Sequence, residues 1–281
     1  MVRATAAVSV IVPTRDRPRA LARCLEALDR QRLDAELEVV VVDDGSTDSA
    51  GVADAVARSA RARLLRLNGR GPAAARNHGA RSAGGSLILF TDDDCEPEPA
   101  WAARLAAALL NGADAAGGKT INGREHSALA EASQAIADHL VETSHRLPAR
   151  APFATSNNLA CRADVLAAIP FDERYRSPGG EDRDWCVRLA EQGFQLTFDA
   201  TAIVLHHHEL GLRDFWHQHV AYGRGAYRFR QSHSSEWRTG GWPFYTGLVR
   251  RGFQRGTAVG AMVCLAQVAT SVGFLGEARR Q

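Results

Sequence analysis

Cysteine is scarce in this sequence, and the five that occur are scattered without a single C-x-x-C pair. An odd, scattered set argues against a disulfide framework and against a zinc knuckle, and it fits a reducing compartment. The N-terminal stretch MVRATAAVSVIVPTRD contains only a short apolar run, too short for the hydrophobic region of a signal peptide. We therefore expect a cytoplasmic protein.

Two common phosphate-binding motifs are also missing. Because neither G-x-G-x-x-G nor G-x-x-x-x-G-K-[ST] occurs, neither a dinucleotide fingerprint nor a P-loop can be claimed. No internal repeat or low-complexity linker divides the 281 residues, of which 45% are apolar and 23% charged. This composition is that of an ordinary globular chain with one large domain or two small ones.

Charge of either sign has almost no excess overall, since 34 basic and 32 acidic residues give a net charge of +2. This balance argues against a general nucleic-acid-binding protein. The total conceals an asymmetry: residues 211–281 contain ten arginines and three acidic residues, a net +7, which leaves −5 for residues 1–210. An acidic body is thus followed by a basic tail.

Short apolar runs alternate with helical patterns through Phe90, which predicts an α/β domain with a mostly parallel sheet. The predicted strands are Val8–Val12, Glu38–Val42, Arg63–Leu67 and Leu87–Phe90, and helices are predicted at Arg19–Leu33, Val52–Ala60 and Ala73–Ala83. Further helices are predicted at Trp101–Leu110, Ala128–Val141, Val165–Ile169 and Asp184–Gln192, and further strands at Ala115–Ile121, Gln195–Phe198 and Ala202–Leu205.

Polar clusters follow three of the early strands, where ligands of such sheets bind. They are Pro13–Asp16, Asp43–Asp48 and Thr91–Asp94. Three adjacent carboxylates repel one another, so Asp92 to Asp94 call for a cation or for ample solvent, and their oxygen atoms suit Mg²⁺ or Mn²⁺. The alternative for both acidic clusters is a turn that caps the following helix.

Three later features could also carry chemistry. A glycine-rich loop before the helix with Arg76 offers an anion site, or else a solvated surface loop. Glu181 and Asp182 follow a double glycine at the start of a helix, where they either complement the helix dipole or supply a general base. Three consecutive histidines, His206 to His208, end a predicted strand, and one of them could complete a metal site begun by Asp94.

Taken in order, these segments resemble the family 2 inverting glycosyltransferases. The resemblance lies in the runs VSVIVPTRDRPRALARCLEAL, VVVVDDGSTD, GPAAARNHG, LILFTDDDC, GGEDRDWCVRL and VLHHH, and it extends to about residue 230. It implies the GT-A fold, a Rossmann-like, mostly parallel sheet flanked by helices, and a catalytic domain over residues 1–210 that binds nucleotide sugar and acceptor. The Q-x-x-R-W motif of the family's polymerases is missing, which argues against a processive synthase.

The resemblance also implies residue roles on the donor side. Pro13, Thr14, Arg15 and Asp44 would bind the nucleoside, with Asp44 at the edge of the base and Arg76 nearby. The donor it implies is a nucleotide diphosphate sugar, with UDP-sugar as the first choice.

In the D-x-D motif the resemblance places Asp92 toward ribose or sugar, with Asp93 beside it, and Asp94 on Mg²⁺ or Mn²⁺. His206 would complete the metal or diphosphate site, with His208 as the second choice. The acceptor, a hydroxyl of a glycan, lipid-linked or small molecule, would lose its proton to Asp182 of the Glu181–Asp182 pair.

Trp185 and Arg188, one turn apart, would frame the acceptor and support the loop, with His208 as a further residue on the acceptor side. A protein of a different class fits the same residues: a catalytically silent sugar-nucleotide-binding adaptor for a membrane or partner. A nucleotidyltransferase of related architecture is a third reading, but the segment Pro13–Pro18 lacks the glycine that it requires.

Residues 211–281 are predicted to form a basic, aromatic and apolar helical extension. Leu212–Arg230 interleaves aromatic residues with arginine, and Gly256–Gly276 is uncharged and flanked by arginines. The latter is long enough to span a bilayer, but it is rich in Ala, Gly, Ser and Thr. We expect an interfacial or packed helix that gives the protein peripheral contact with the inner face of the membrane.

Overall fold

The computed structural model describes residues 7–124, 126–146, 152–233 and 241–280. Eight strands are present in these ranges: β1 Val8–Thr14, β2 Leu37–Asp44, β3 Ala62–Leu67, β4 Leu87–Phe90, β5 Cys95–Pro97, β6 Ala115–Asn122, β7 Leu159–Arg162 and β8 Leu196–His206. They form one sheet in the order β3-β2-β1-β4-β7-β6-β8-β5. Strands β1 to β4 pair in parallel, whereas β7 runs antiparallel to both β4 and β6.

Ten α-helices accompany the sheet in the described ranges: α1 Pro18–Asp29, α2 Ser49–Ala57, α3 Pro72–Ser82, α4 Trp101–Leu110, α5 Ala128–Arg146, α6 Ala163–Ala168, α7 Glu181–Glu191, α8 Leu212–Ser232, α9 Trp242–Gln254 and α10 Thr257–Ala278. A 3₁₀ turn, Ser156–Asn158, precedes β7. The predicted α/β architecture, with a sheet flanked by helices and helices at the C-terminal end, is confirmed.

Both faces of the central strands are covered, which is why their sequences are continuously apolar. Val10 and Val39 point into one core cluster with α1, α2 and α4, while Ile11 and Val40 point into a second cluster with α3, α6 and α7. Because strand side chains alternate between faces, the early strands could be found from composition alone.

The second half of the sheet differs from the prediction at β5, β7 and β8. The two predicted strands after Phe194 are one strand, β8, whose pairing with β6 shifts register between Gly118 and Lys119. Asn158 occupies this irregularity: its Nδ2 donates to the carbonyl of Ala202 (3.0 Å), and its Oδ1 accepts from Trp101 Nε1 (2.8 Å). The bulge interrupts the strand pattern, so the sequence appeared to hold two strands.

The predicted extension, residues 211–281, begins one residue before α8, and residues 234–240 and 281 of it lie outside the described residues. Helices α9 and α10 share an apolar cluster with α5, which belongs to the predicted catalytic domain. Helix α10 has the length and composition to cross a membrane, although a third of its most apolar window is buried within the protein. A core helix passes the same test, so this is weak evidence for a span.

Candidate active site

Strands β1, β2 and β4 are parallel, so their carboxyl ends place three polar segments at one edge of the sheet. Thr14 at the end of β1 donates through Oγ1 to Asp93 Oδ2 (2.7 Å) in the segment after β4. The triple aspartate leads into β5 rather than into a helix, and α4 begins later without a side-chain cap. The capping alternative for this cluster is therefore wrong.

Arg17 is the cation that partners two of these aspartates. Its Nη2 lies 2.7 Å from Asp93 Oδ1 and its Nη1 lies 2.6 Å from Asp94 Oδ2. Burial raises the pKa of Asp93 to about 7, with Asp94 adding to the effect, although Arg17 opposes it. Arg17 was not among the predicted site residues; its place beside the Pro13–Asp16 cluster, just before the proline that begins α1, was the available signal.

Asp94 and His206 form a second polar contact, which joins the triple aspartate to the end of β8. His206 Nε2 lies 3.1 Å from Asp94 Oδ1, and His206 Nδ1 lies 3.2 Å from the Asn157 side-chain amide. Burial alone would lower the pKa of His206, but Asp94 raises it overall. Burial would likewise raise the pKa of Asp94, but His206 and Arg17 lower it overall.

This pair fits a divalent cation. Asp94, Cys95 and His206 each offer one potential metal-ligand atom, and these three atoms lie within 4.8 Å of one another. Carboxylate oxygen suits Mg²⁺ or Mn²⁺ and imidazole suits transition metals, so Asp94 and His206 suit Mn²⁺ well. Burial raises the pKa of the Cys95 thiol well above its ordinary value, so the thiol stays protonated and is the poorest of the three ligands.

The three histidines alternate between the two sides of the chain, as the sequence predicted for a strand end. The His206 and His208 rings are 3.7 Å apart, centroid to centroid, whereas His207 Nε2 lies 3.2 Å from Glu96 Oε2. Burial, together with the neighbouring His206, lowers the pKa of His208 to about 3 and keeps its ring neutral.

Arg76 connects the aspartate segment to the start of α7. Its Nη2 lies 2.8 Å from Asp92 Oδ1 and its Nη1 lies 3.1 Å from Glu181 Oε1. Only 4% of the Arg76 side chain is exposed, so the alternative of a solvated surface arginine is wrong, while the anion site stays a prediction. Arg76 thus bridges two carboxylates, of which Glu181 is buried and Asp92 is partly exposed.

Asp182 is half-buried at the N-terminus of α7. The Arg183 amide donates to its Oδ1 (2.8 Å), and the Ser156 amide donates more weakly to its Oδ2 (3.5 Å). Burial and the adjacent Glu181 carboxylate raise the pKa of Asp182 to about 7. A carboxylate with such a pKa exchanges protons near neutral pH, which is the property that a general base needs.

Helix α8 of the extension packs against the double glycine that precedes Asp182. Gly179 and Gly180 have φ of 118° and 97°, a left-handed conformation that other residues rarely adopt. An added Cβ at Gly179 would lie 2.7 Å from the Tyr222 ring, and one at Gly225 would overlap the Gly179 carbonyl. No sequence pattern predicts this contact, because the residues that form it are about 45 positions apart.

Asp44 holds the glycine-rich loop in place. The amides of Arg70 and Gly71 donate to its two carboxylate oxygens, each at 2.7 Å. Asp48, four residues after Asp44, caps α2 by accepting a hydrogen bond from the Gly51 amide (2.9 Å). The capping alternative is therefore confirmed for Asp48. Arg15 is exposed and lies above this loop, where an added Cβ at Gly69 would be 3.8 Å from its Nη1.

Of the two predicted acceptor residues on α7, Trp185 requires a correction. Trp185 has no exposed surface: its ring stacks on Phe171 (5.6 Å) and its Nε1 donates to the carbonyl of Ile169 (2.6 Å). Arg188 pairs with Asp184 (2.8 Å) and lines an open cavity of about 370 Å³ together with residues of α3 and of the segment 170–174. Trp185 therefore cannot frame an acceptor, whereas the acceptor role of Arg188 stays a prediction.

Residues 9–172 match the sequence profile of Glycosyl transferase family 2. The chain is 30% identical over 226 residues to the pre-mycofactocin glycosyltransferase of Mycobacterium tuberculosis, a match that covers 78% of this chain and 46% of that protein. It is 29% identical over 208 residues to glycosyltransferase AglE of Haloferax volcanii, covering 71% of this chain and 66% of the relative. The chain thus spans less than two thirds of the length of these relatives.

Two solved structures share the fold. The mannosyltransferase PcManGT from Pyrobaculum calidifontis, in complex with GDP-Man and Mn²⁺, superposes with a TM-score of 0.62 at 20% identity, covering 94% of this chain and 74% of that one. S. aureus TarS 1-349 in complex with UDP-GlcNAc superposes with a TM-score of 0.56 at 19% identity, covering 98% of this chain and 92% of that one. The predicted GT-A fold is confirmed.

Proposed function

The chain belongs to glycosyl transferase family 2, and from this premise we propose that it is a metal-dependent inverting glycosyltransferase that moves a sugar from a nucleotide diphosphate to an acceptor hydroxyl. The observation that carries the proposal is the convergence of carboxylates from separate segments. Asp92 is joined through Arg76 to Glu181, beside Asp182, while Asp94 contacts His206. Such a cluster can bind a cation and accept a proton within one site.

Asp94 and His206 are the residues that would hold Mg²⁺ or Mn²⁺. When bound, the ion supplies a Lewis acid that stabilises the negative charge on the departing diphosphate. Arg17 already contacts the second oxygen of Asp94 and remains 51% exposed, so its guanidinium is available to a phosphate at this place. Arg17 therefore joins the proposed donor site.

The nucleoside would bind along the ends of β1 and β2, against Pro13, Thr14, Arg15 and Asp44. Support comes from the fixed position of Asp44 beneath the glycine-rich loop and from the exposure of Arg15 above that loop. The two solved relatives were obtained with UDP-GlcNAc and GDP-Man, and these two donors are the first to test. We retain UDP-sugar as the first choice.

Asp182 would remove the proton from the acceptor hydroxyl while the hydroxyl oxygen attacks the anomeric carbon from the side opposite the diphosphate. The carboxylate has the right pKa for this step, and its amide contacts with Arg183 and Ser156 fix its orientation. Attack opposite the leaving group inverts the anomeric configuration. General-base catalysis of this kind contributes about 10²- to 10⁴-fold to the rate.

The adaptor alternative has less support from the site. A protein that only binds sugar nucleotide has no use for a half-buried carboxylate whose pKa burial raises to about 7, because such a group costs stability at neutral pH. The Arg76 bridge that keeps Glu181 beside it would be equally unnecessary.

The test combines turnover and stereochemistry. The purified protein is incubated with UDP-GlcNAc or GDP-Man, Mn²⁺ and a panel of glycan and lipid-linked hydroxyl acceptors, and nucleotide release is measured. The anomeric configuration of any product is then read by proton NMR. We expect acceptor-dependent release and a β-linked product from an α-linked donor. A product with retained configuration would contradict the role of Asp182.

A further inference from the structure

Helices α9 and α10 are apolar on both their inward and their outward sides. Inward, Phe244 and Leu248 of α9 and Val263 and Ala266 of α10 are buried against each other and against α5. A surface helix of a globular protein normally has a polar outer side. A helix with apolar side chains on both sides normally contacts a second apolar surface as well. The outward sides of this helical pair therefore need a partner.

The outward apolar side chains form one stripe on each helix. On α9 these side chains are separated by three and then eight residues, and on α10 by four and then three residues. Such spacings place each set on one face of its helix. The outer face, as we call it, consists of Trp242 (82% exposed), Tyr245 (44%), Phe253 (49%), Val268 (55%), Val272 (49%) and Leu275 (56%). It includes most of the large apolar side chains that are exposed in the described residues.

Charge on this helical pair has one sign at the surface. Residues 241–280 contain one acidic residue, Glu277, which is buried and pairs with Arg228 (2.9 Å). Two of the arginines in this range, Arg251 and Arg255, are neutralised by carboxylates of α5. Those that remain exposed are Arg250, Arg279 and Arg280.

We propose that the outer face of α9 and α10 docks on the surface of a lipid bilayer with anionic headgroups. Trp and Tyr are enriched where the hydrocarbon region meets water, and exposed arginine binds anionic lipid at the same depth. A second copy of this chain fits less well, because two faces that carry arginine and no exposed carboxylate repel each other.

Packing within the protein favours a docked helix over a helix that spans the bilayer. An added Cβ at Gly223 of α8 would overlap the carbonyl of Thr270, and one at Gly273 would overlap the carbonyl of Val220, so α8 and α10 are in backbone contact. Extraction of α10 into a bilayer would break this contact and leave Glu277 without Arg228. Only the outward stripe is available to lipid.

Binding to vesicles tests the proposal without relying on catalysis, so failure of one proposal does not decide the other. The full chain is floated with vesicles of phosphatidylcholine alone and with vesicles that contain phosphatidylglycerol. We expect selective binding to the anionic vesicles. We also expect a loss of about tenfold or more for Trp242→Ser/Phe253→Ser and of about tenfold or more for Arg279→Gln/Arg280→Gln.

Matched variants elsewhere on the surface serve as controls. Leu110→Ser removes a side chain that is 62% exposed on α4, and Arg32→Gln/Arg58→Gln removes two exposed arginines that follow α1 and α2; both variants should bind as the wild type does. Three results would overturn the proposal: equal binding to neutral vesicles, no binding to anionic vesicles, or a dimer in sedimentation that Trp242→Ser disperses. The last result would assign the face to a second copy.

Discussion

Asp182→Asn should separate the catalytic role of this carboxylate from its effect on folding. Asparagine keeps the shape of the side chain and the acceptor for the Arg183 amide, but it cannot take a proton from an acceptor hydroxyl. We expect transfer to fall by about 10²- to 10⁴-fold while donor binding persists. In the wild type, kcat/KM should rise as pH increases through about 7, because only the ionised carboxylate acts as a base.

The same substitution should stabilise the protein at alkaline pH. The pKa of Asp182 is raised from 3.8 to about 7, so above pH 7 the fold contains a charge that it disfavours. At 1.36 kcal/mol per unit the penalty is up to about 4 kcal/mol, or about 10 °C in melting temperature for a chain of this size. The advantage of the variant should be full at pH 8 and should shrink as pH falls, vanishing below about pH 4, where Asp182 is protonated in the folded and the unfolded protein alike.

Thermal melting from pH 4 to pH 8 measures this effect, and Asp34→Asn, an exposed aspartate, provides the control for net charge. The control should change neither activity nor the pH dependence of stability. Full transfer activity in Asp182→Asn, or a variant less stable than the wild type at pH 8, would refute the reasoning.

Three further substitutions test other parts of the site. Arg17→Gln should increase the thermal stabilisation produced by Mn²⁺, by about 2–4 °C, because it removes the cation that competes for Asp94; an unchanged metal response would argue against that competition. Gly225→Ala should cost about 1–3 kcal/mol in urea unfolding and reduce kcat, because its methyl group would displace Gly179, whereas Gly276→Ala in open space should stabilise by about 1 kcal/mol. Trp185→Ala should cost about 3–5 kcal/mol in the same assay and leave the KM for acceptor without a selective change. A selective rise in that KM would instead indicate that Trp185 contacts the acceptor.

Strands β1, β2 and β4 could be predicted because each is a mainly apolar run in a sheet that is covered on both faces. Strands β5 (CEP) and β7 (LACR), by contrast, each include a charged residue within three or four positions, and their partners β8 and β4 are far away in sequence. A short run has no periodicity of its own, so tertiary pairing alone defines it.

Proximity within the site was predictable only where parallel strands impose it. The meeting of Thr14 with Asp93 follows from the pairing of β1 with β4. The contacts of Asn157 with His206 and of Ser156 with Asp182 depend on the turn before β7, in the segment where the sequence pattern is weakest. The polar run Thr155–Asn158 was the only local signal.

The error at Trp185 had a physical cause visible in the sequence. Trp185, Cys186 and Leu189 form the apolar side of α7, and helical spacing places Trp185 with Leu189, four residues on, against the core. The family resemblance implied that an aromatic residue near Asp182 contacts the acceptor, whereas the helical periodicity predicted that Trp185 packs against the core. The structure follows the periodicity.

Donor binding with and without metal tests the central claim most directly. Thermal stability is measured with UDP-, GDP-, CDP- and TDP-sugars, each with Mn²⁺ and with EDTA, for the wild type and for Asp94→Ala. We expect one class of nucleotide sugar to stabilise the wild type, and only when Mn²⁺ is present. In EDTA we expect no nucleotide sugar to stabilise either the wild type or Asp94→Ala. Stabilisation of Asp94→Ala equal to that of the wild type, or no response of the wild type to any of the four, would contradict the account.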